Sequence, residues 1–400
     1  MLREVLYKQM RGRLQGLPVE VQLWNGETLG APGARVRLVV KTPRALRVLA
    51  QPSMGGLARA YVEDWIDLQG DARDILELGR ELCQTEASLE GRRGTDWRWW
   101  RHTRSRDRRN ISYHYDVSND FYGLWLDRNR VYSCAYFENG DEDLDTAQEK
   151  KLDLICRKLM LKPGERLLDI GCGWGGLILR AAEMYGVTAL GITLSDNQHD
   201  HVKAEIARRG LAGRVEVRLM DYRDVPEDQP YDKIASVGMF EHVGRKNLPA
   251  YFGKIHRLLR PGGLVMNHGI TSVAVEAHGL GSDISEFIDD YVFPGGELTH
   301  VSHVIRELAA SGLEPLDAEN LRPHYARTLW NWVDRLEARA DEALRLVGQQ
   351  KYRIWRIYMA GSAYAFERNW LALFQVLGGK PLPDGRQEYP FNRRHLCGEG

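Results

Sequence analysis

Between Leu152 and about Leu316 the chain alternates short apolar runs with longer amphipathic stretches. That alternation argues for an α/β fold built on a doubly wound parallel sheet. Strands are predicted at 166–171, 187–193, 215–221, 231–237 and 263–270, with helices between them. Turn signals at Lys162-Pro163-Gly164, Arg260-Pro261-Gly262-Gly263 and Phe293-Pro294-Gly295-Gly296 punctuate the pattern. Ahead of this region, β-type runs at 19–24 and 35–40, set off by the turns Asn25-Gly26 and Pro32-Gly33, predict a small sheet. An apolar stripe at Leu57, Tyr61, Trp65 and Leu68, then Ile75, Leu76 and Leu82, predicts an acidic helical layer over it, broken near Gly70. After Tyr325 two more stripes run: Leu329, Trp332, Val333, Leu336, Ala340, Leu344 and Val347, then Ile354, Tyr358, Ser362, Phe366, Trp370, Leu373 and Leu377. These predict core helices covering the sheet or its mouth.

The pattern breaks at 91–110, where eight arginines surround Trp97, Trp99 and Trp100 with no aliphatic residue among them. This is the expected interdomain linker. It reads either as a solvated connector or as an interfacial docking segment, since Arg attracts anionic headgroups and Trp prefers the membrane–water boundary. The organisation is therefore a small α+β domain over 1–90, the linker 91–110, a catalytic domain over 111–377, and a loosely held Gly/Pro/Arg-rich tail over 378–400. A length of 400 residues supports two or three domains at roughly 100 to 200 each. Apolar residues make up 43% and charged residues 28%, which excludes disorder. Fifty-five basic residues balance 55 acidic ones, which argues against a general nucleic-acid binder. The five cysteines (83, 134, 156, 172 and 397) form no Cys-x-x-Cys and no disulfide framework, so a reducing cytoplasm is expected. The first residues lack an apolar signal core and no run of about 18 apolar residues occurs, so no membrane span is expected.

One segment carries ligand chemistry. Leu167-Leu168-Asp169-Ile170-Gly171-Cys172-Gly173-Trp174-Gly175-Gly176 ends a predicted strand and opens a helix at Leu177. Glycines there permit a sharp turn and a close approach of ligand to backbone near a helix N-terminus. Dinucleotide enzymes use the same device, but they place Asp or Glu at the end of the second strand for the ribose hydroxyls. Here Gly191-Ile192-Thr193-Leu194-Ser195 stands in that place. Asp169 instead precedes the first glycine, and Asp221-Tyr222 ends the third strand, where a carboxylate can accept from an adenine amine and a ring can stack. That arrangement suits S-adenosylmethionine, which carries an ammonium and a sulfonium but no pyrophosphate.

Taken with Val131-Tyr132-Ser133-Cys134-Ala135-Tyr136-Phe137, Gln198, Ser236-Val237-Gly238-Met239-Phe240-Glu241-His242-Val243-Gly244, Asn267-His268-Gly269-Ile270 and Phe293-Pro294-Gly295-Gly296, the glycine loop resembles the cyclopropane-fatty-acyl-phospholipid synthase family, including the mycolic-acid cyclopropane synthases. The resemblance is close over about 111–377. It implies a Rossmann-like methyltransferase sheet and transfer of a methyl group from S-adenosylmethionine to a cis double bond of an unsaturated acyl chain of a membrane phospholipid. Bicarbonate then assists the deprotonation that closes the cyclopropane. The resemblance places bicarbonate against Cys134, Glu241, His268, the backbone of Ile270 and Tyr325. It places S-adenosylmethionine against Tyr132, Ser133, Asp169, Gly171, Cys172, Gly173, Trp174, Gly175, Thr193, Leu194, Ser195, Gln198, Asp221 and Tyr222. It further implies a homodimer that is cytoplasmic and peripherally membrane-associated.

The residue types suit these roles. His268 and Tyr325 can donate to an anion, and Glu241 can accept from its hydroxyl. Each also has a plainer use: Cys134 as a packing cysteine, His268 as a satisfied core histidine, Tyr325 as a helix-packing ring. The rings Tyr113, Tyr115, Phe121, Tyr122, Trp125, Tyr132, Tyr136 and Phe137 either fill a core or stabilise a carbocation by their quadrupoles, at about 2 kcal/mol each when desolvated. His300 and His303 suggest a metal, but no third ligand stands at sensible spacing, so none is expected. The chain departs from the family pattern at Ser362, where cysteine is common, and at Gly269, where threonine is frequent. A different fate of the cation would leave a methyl- or methylene-branched chain instead.

Overall fold

The computed structural model describes residues 2–83, 118–275, 282–292 and 297–396. The expected linker 91–110, the rings Tyr113 and Tyr115, and the turn Phe293-Pro294-Gly295-Gly296 lie outside the described residues.

The N-terminal layer begins with helix α1 (Leu2–Leu14), which the apolar pattern did not announce. A four-stranded sheet follows, made of β1 (Val19–Gln22), β2 (Thr28–Gly30), β3 (Val36–Val40) and β4 (Ile66–Gln69) in the order β2-β1-β3-β4. β1 and β3 alternate buried and half-buried positions, as a sheet with one covered face requires. Helices α2 (Ala45–Ala50) and α3 (Met54–Val62) precede β4, and α4 (Ala72–Cys83) follows it. The stripe that continued a helix through Trp65 and Leu68 is thus corrected. Helix α3 ends at Val62, Asp64 adopts φ 58°, and the chain leaves as a strand. A left-handed residue other than glycine carries little sequence signal, and the i, i+4 spacing of Tyr61 and Trp65 is coincidental.

The large domain opens with α5 (Asn119–Trp125) and α6 (Leu144–Lys158), then winds through β5 (Arg166–Ile170), α7 (Gly176–Tyr185), β6 (Thr188–Thr193), α8 (Asp196–Arg208) and β7 (Val215–Leu219). The other half comprises β8 (Tyr231–Val237), the single turn α9 (Phe240–Val243), α10 (Leu248–Leu258), β9 (Leu259–Ser272), α11 (Ser282–Tyr291), α12 (Val301–Ala310) and β10 (Glu314–Asn320). Helices α13 (Arg322–Ala338) and α14 (Ala340–Glu367, interrupted at Gly348) lead to β11 (Leu371–Gly379). The seven strands lie in the order β10-β11-β9-β8-β5-β6-β7, parallel from β9 to β7 and antiparallel where β11 meets β9 and β10. The five predicted strands are all present. The direction of winding reverses between β5 and β8, so the carboxyl ends of these strands form the crevice where such sheets bind ligands.

The C-terminal stripe needs a second correction. Leu373 and Leu377 belong to β11, because Asn369 at φ 59° ends α14. β11 is buried along nearly its whole length between two neighbours, so its apolar run shows no alternation that would mark it as a strand. The stretch expected as a loose tail starts inside β11 and is then tied down. Lys380 Nζ donates to the carbonyls of His256 and Leu259, both at 2.8 Å, and Tyr389 packs on the core around Leu167 and Leu264.

The N-terminal layer is bolted to α14 by two buried arginines. Arg353 donates to Tyr61 O (2.8 Å), Asp64 (2.6 Å) and Asp67 (2.7 Å), and Arg356 to Glu337, Tyr61 Oη and the carbonyls of Leu68 and Gly70. Among the described residues no helix is long and apolar enough to cross a membrane.

Candidate active site

The glycine loop lies at the carboxyl end of β5 and wraps one wall of a cavity. Gly175 sits at φ 86° as the N-cap of α7, a conformation that a side chain would strain. The loop is pinned to the next strand: Gly171 N and Cys172 N both donate to Ile192 O at 3.0 Å. All residues expected to hold the cofactor line this cavity except Gly175 and Ser195. Ser195 instead caps α8 by accepting from Gln198 N, and Thr193 Oγ1 donates to Gln198 Oε1 at 2.7 Å. Asp221 lines the cavity, but its carboxylate already accepts from Arg223 Nε (2.7 Å) and a terminal guanidinium N–H (2.6 Å). The backbone N–H of Arg223 donates to the same carboxylate, at 2.9 Å.

Burial pushes Asp169 up to about 7, against the pull of Lys151, and its Oδ1 has no hydrogen-bond partner. A buried carboxylate without a partner beside a glycine loop fits an ammonium-bearing ligand. Lys151 is also buried, pushed down to about 8 by that burial, and donates to Ser133 Oγ at 2.6 Å. The sequence reading missed it. The signal was present: Gln148, Lys151 and Lys158 occupy the face of α6 that also carries Leu144, Leu154 and Ile155.

Of the residues expected to hold an anion, Glu241 on the turn α9 contacts the backbone of Ile270, and His268 stands two residues earlier on β9. That turn shows Met239, His242 and Val243 to the cavity, while Glu241 reaches β9 and its Oε1 accepts from Ile270 N at 2.7 Å. The Ile270 N–H is therefore engaged by Glu241 in this structure, where the resemblance had it holding bicarbonate directly. Glu241 Oε2 and His268 Nε2 are both buried and have no hydrogen-bond partner. Burial raises Glu241 to about 7, opposed by the Ile270 N–H. Burial, with Lys151 and Lys158 adding to it, holds His268 well below the usual histidine range, so its ring is neutral. Tyr325 and Cys134 join the group through backbone. Ile270 is paired with Leu373, whose carbonyl accepts from Leu321 N, and Leu321 O in turn accepts from Tyr325 N and the Cys134 thiol. Burial pushes that thiol up, which keeps it protonated.

Gly269 is explained by the same corner. A Cβ there would lie 2.2 Å from the Phe240 ring and 2.9 Å from Glu241 Oε1. The aromatic residues divide between the two readings. Phe121, Tyr122 and Trp125 are fully buried and pack with Trp332 and Trp355, as a core does, whereas Tyr132 and Trp174 also border the cavity. Of the two histidines considered for a metal, His300 caps α12 and His303 is buried on that helix.

A second cavity lies between the N-terminal layer and α14. Its wall is almost wholly apolar, with Leu57, Leu78, Phe287, Ile288 and Tyr358 among its residues, and Ser362 is there too. No sequence pattern announced it, because its wall is assembled from the faces of helices that lie far apart in the chain.

The chain is similar to known proteins over this region. A sequence profile of the family described as mycolic acid cyclopropane synthetase matches residues 102–376. A Pseudomonas putida protein named a probable fatty acid methyltransferase is 45% identical over 381 residues, covering 95% of this chain and 96% of that one. Cyclopropane mycolic acid synthase 1 of Mycobacterium tuberculosis is 38% identical over 274 residues, covering 66% of this chain and 95% of that one. The crystal structure of a mycolic acid cyclopropane synthase complexed with SAH and CTAB superposes with a TM-score of 0.64 at 37% identity, covering 68% of this chain and 98% of that one. The matched stretch carries both the glycine loop and the Glu241–His268 corner, and the chain belongs to the mycolic acid cyclopropane synthetase family of S-adenosylmethionine-dependent methyltransferases.

Proposed function

We propose that the protein methylates a cis double bond in an unsaturated acyl chain of a membrane phospholipid and closes the product to a cyclopropane, with bicarbonate as the base. The observation that carries this reading is the pair of buried polar atoms without partners, Glu241 Oε2 on the turn that borders the cofactor cavity and His268 Nε2 on the neighbouring strand β9. Two unsatisfied buried polar atoms cost free energy unless a ligand completes them. A small hydrogen-bonding anion fits that need, since the neutral His268 donates one N–H and Glu241 accepts from a hydroxyl. Bound there, bicarbonate supplies a base of modest strength in a dry site.

The chain's own groups do the rest. Asp169 would hold the donor's ammonium, and Tyr132 and Trp174 would wall the rest of its cavity. An alkene is a weak nucleophile, so alignment and exclusion of water supply much of the acceleration. The second cavity is apolar, which supports a lipid substrate. Contact with the membrane falls to the Arg/Trp segment 91–110, outside the described residues.

Incubation with vesicles of unsaturated phospholipid and labelled S-adenosylmethionine is expected to give acyl chains heavier by one methylene and bearing cyclopropyl proton resonances. Absence of label in the lipid overturns the reading. The second reading, a methyl- or methylene-branched product, draws support from the relative named a fatty acid methyltransferase and from Gly269 and Ser362. Olefinic or methyl-branch resonances in place of cyclopropyl ones would establish it.

A further inference from the structure

A neutral imidazole has one N–H, and an anion beside His268 is held or repelled according to which nitrogen carries it. The sheet register supplies an answer. Glu319 on β10 pairs with Gln375 on β11, and Gln375 pairs with His268 on β9, so the three side chains form one row across adjacent strands. Lys158, at the end of α6 and fully buried, enters this row from the helix layer. Its ammonium lies against Glu319 and Asp317 and donates to Gln375 Oε1 at 2.7 Å.

An ammonium is a donor only, so it fixes the orientation of the Gln375 amide. The oxygen faces Lys158 and the NH2 faces His268, where Gln375 Nε2 stands 3.1 Å from Nδ1. Nδ1 must then accept, and the ring proton sits on Nε2, the atom left without a partner at the corner with Glu241. Gln375 is itself completely buried, so no water competes for the amide.

We propose that Lys158 and Gln375 form a buried relay that locks His268 in the Nε2–H tautomer, making its single N–H a donor to the anion that serves as base. The proposal rests on the anion-site reading above, and the two are separable by experiment. Lys158 and Gln375 are positioning residues: neither touches the anion, and each acts through His268.

The test is nitrogen NMR on full-length protein labelled with 15N-histidine, with the His268 signals assigned by comparison with His268→Asn. Wild type is expected to show a protonated Nε2 and an unprotonated Nδ1. Gln375→Glu keeps the volume and still faces Lys158, but offers Nδ1 only an acceptor, so the ring is expected to turn over to Nδ1–H. In that variant the KM for bicarbonate is expected to rise and kcat to fall by about tenfold or more, with S-adenosylmethionine affinity unchanged. Lys158→Met frees the amide to rotate and is expected to give mixed tautomers, which Lys158→Arg restores to Nε2–H. A wild-type ring protonated at Nδ1, or a Gln375→Glu ring still protonated at Nε2, overturns the relay. A ring that turns over while bicarbonate dependence stays the same overturns instead the anion site on which the relay's purpose rests.

Discussion

The two large cavities of this protein are built by opposite means. The one at the carboxyl edge of the seven-stranded sheet is made of consecutive turns and strand ends, so its wall comes in short runs such as 130–133 and 169–174. The one under the N-terminal layer takes the facing sides of four helices, α3, α4, α11 and α14, which lie far apart in the chain. The first therefore holds its shape through local backbone constraint. The second depends on how two layers are clamped together. Local construction suits a ligand that is always the same, and layered construction suits a tail whose length varies.

This contrast can be broken or sharpened by substitution. The largest effect is expected at Glu241→Gln, which keeps the side-chain shape and the bond from Ile270 N but removes the second carboxylate oxygen. Turnover is expected to fall roughly a hundredfold or more, while calorimetric affinity for S-adenosylmethionine is preserved. Unchanged turnover would remove Glu241 from the site.

Next, Arg353→Ala cuts three hydrogen bonds between α14 and the N-terminal layer. Its partner Asp64 is half exposed, which screens part of the pairing. The expected loss is about 2 kcal/mol in urea unfolding, with cofactor affinity intact because only the layered cavity is loosened.

Asp169→Asn acts on the local cavity alone, and about a tenfold loss of S-adenosylmethionine affinity is expected. It also has a pH signature. Asp169 and Glu241 are both raised to about 7, so the folded protein keeps protons that the unfolded chain releases. The contribution of these two carboxyls to the stability of the ligand-free protein should thus fall as pH rises from about 4 to about 7 and level off above. A tenfold difference in proton affinity between the folded and unfolded chain is worth roughly 1.4 kcal/mol. Melting curves at pH 5 and pH 8 should show that fall reduced in Asp169→Asn. An equal fall in the variant would mean that Asp169 ionises normally.

The smallest effect is expected from Gly361→Phe. Gly361 borders the layered cavity, and a Cβ there meets nothing within 4 Å. The ring should fill space without strain, leave the melting temperature close to wild type and shift kcat/KM severalfold toward shorter acyl chains. If all chain lengths respond equally, the cavity does not receive the tail.

Much of the large domain was legible because its constraints are local. The glycine loop must turn within a few residues, and Glu241 follows from its place at the end of the fourth strand. Asp64 and Asn369 were not legible, because each ends a helix in a left-handed conformation that glycine signals and Asp or Asn does not. β11 hid as part of a helical stripe because burial on both faces erased its alternation. Lys151 and Lys158 were visible in principle as cations on the apolar face of α6, but their partners lie on other elements. The engagement of Ile270 N by Glu241, and of Asp221 by its own neighbour Arg223, are matters of side-chain choice that spacing does not encode.

The position of β11 has a consequence for how the protein is made. It comes after α14 in the chain yet fills the slot between β9 and β10, so a ribosome releases both flanking strands well before the one that joins them. Until then β9 has an open edge, His268 lacks the amide that orders its ring, and Lys158 has no buried place to go. Nascent chains stopped before residue 371 should accordingly be both inert and prone to pair edge to edge.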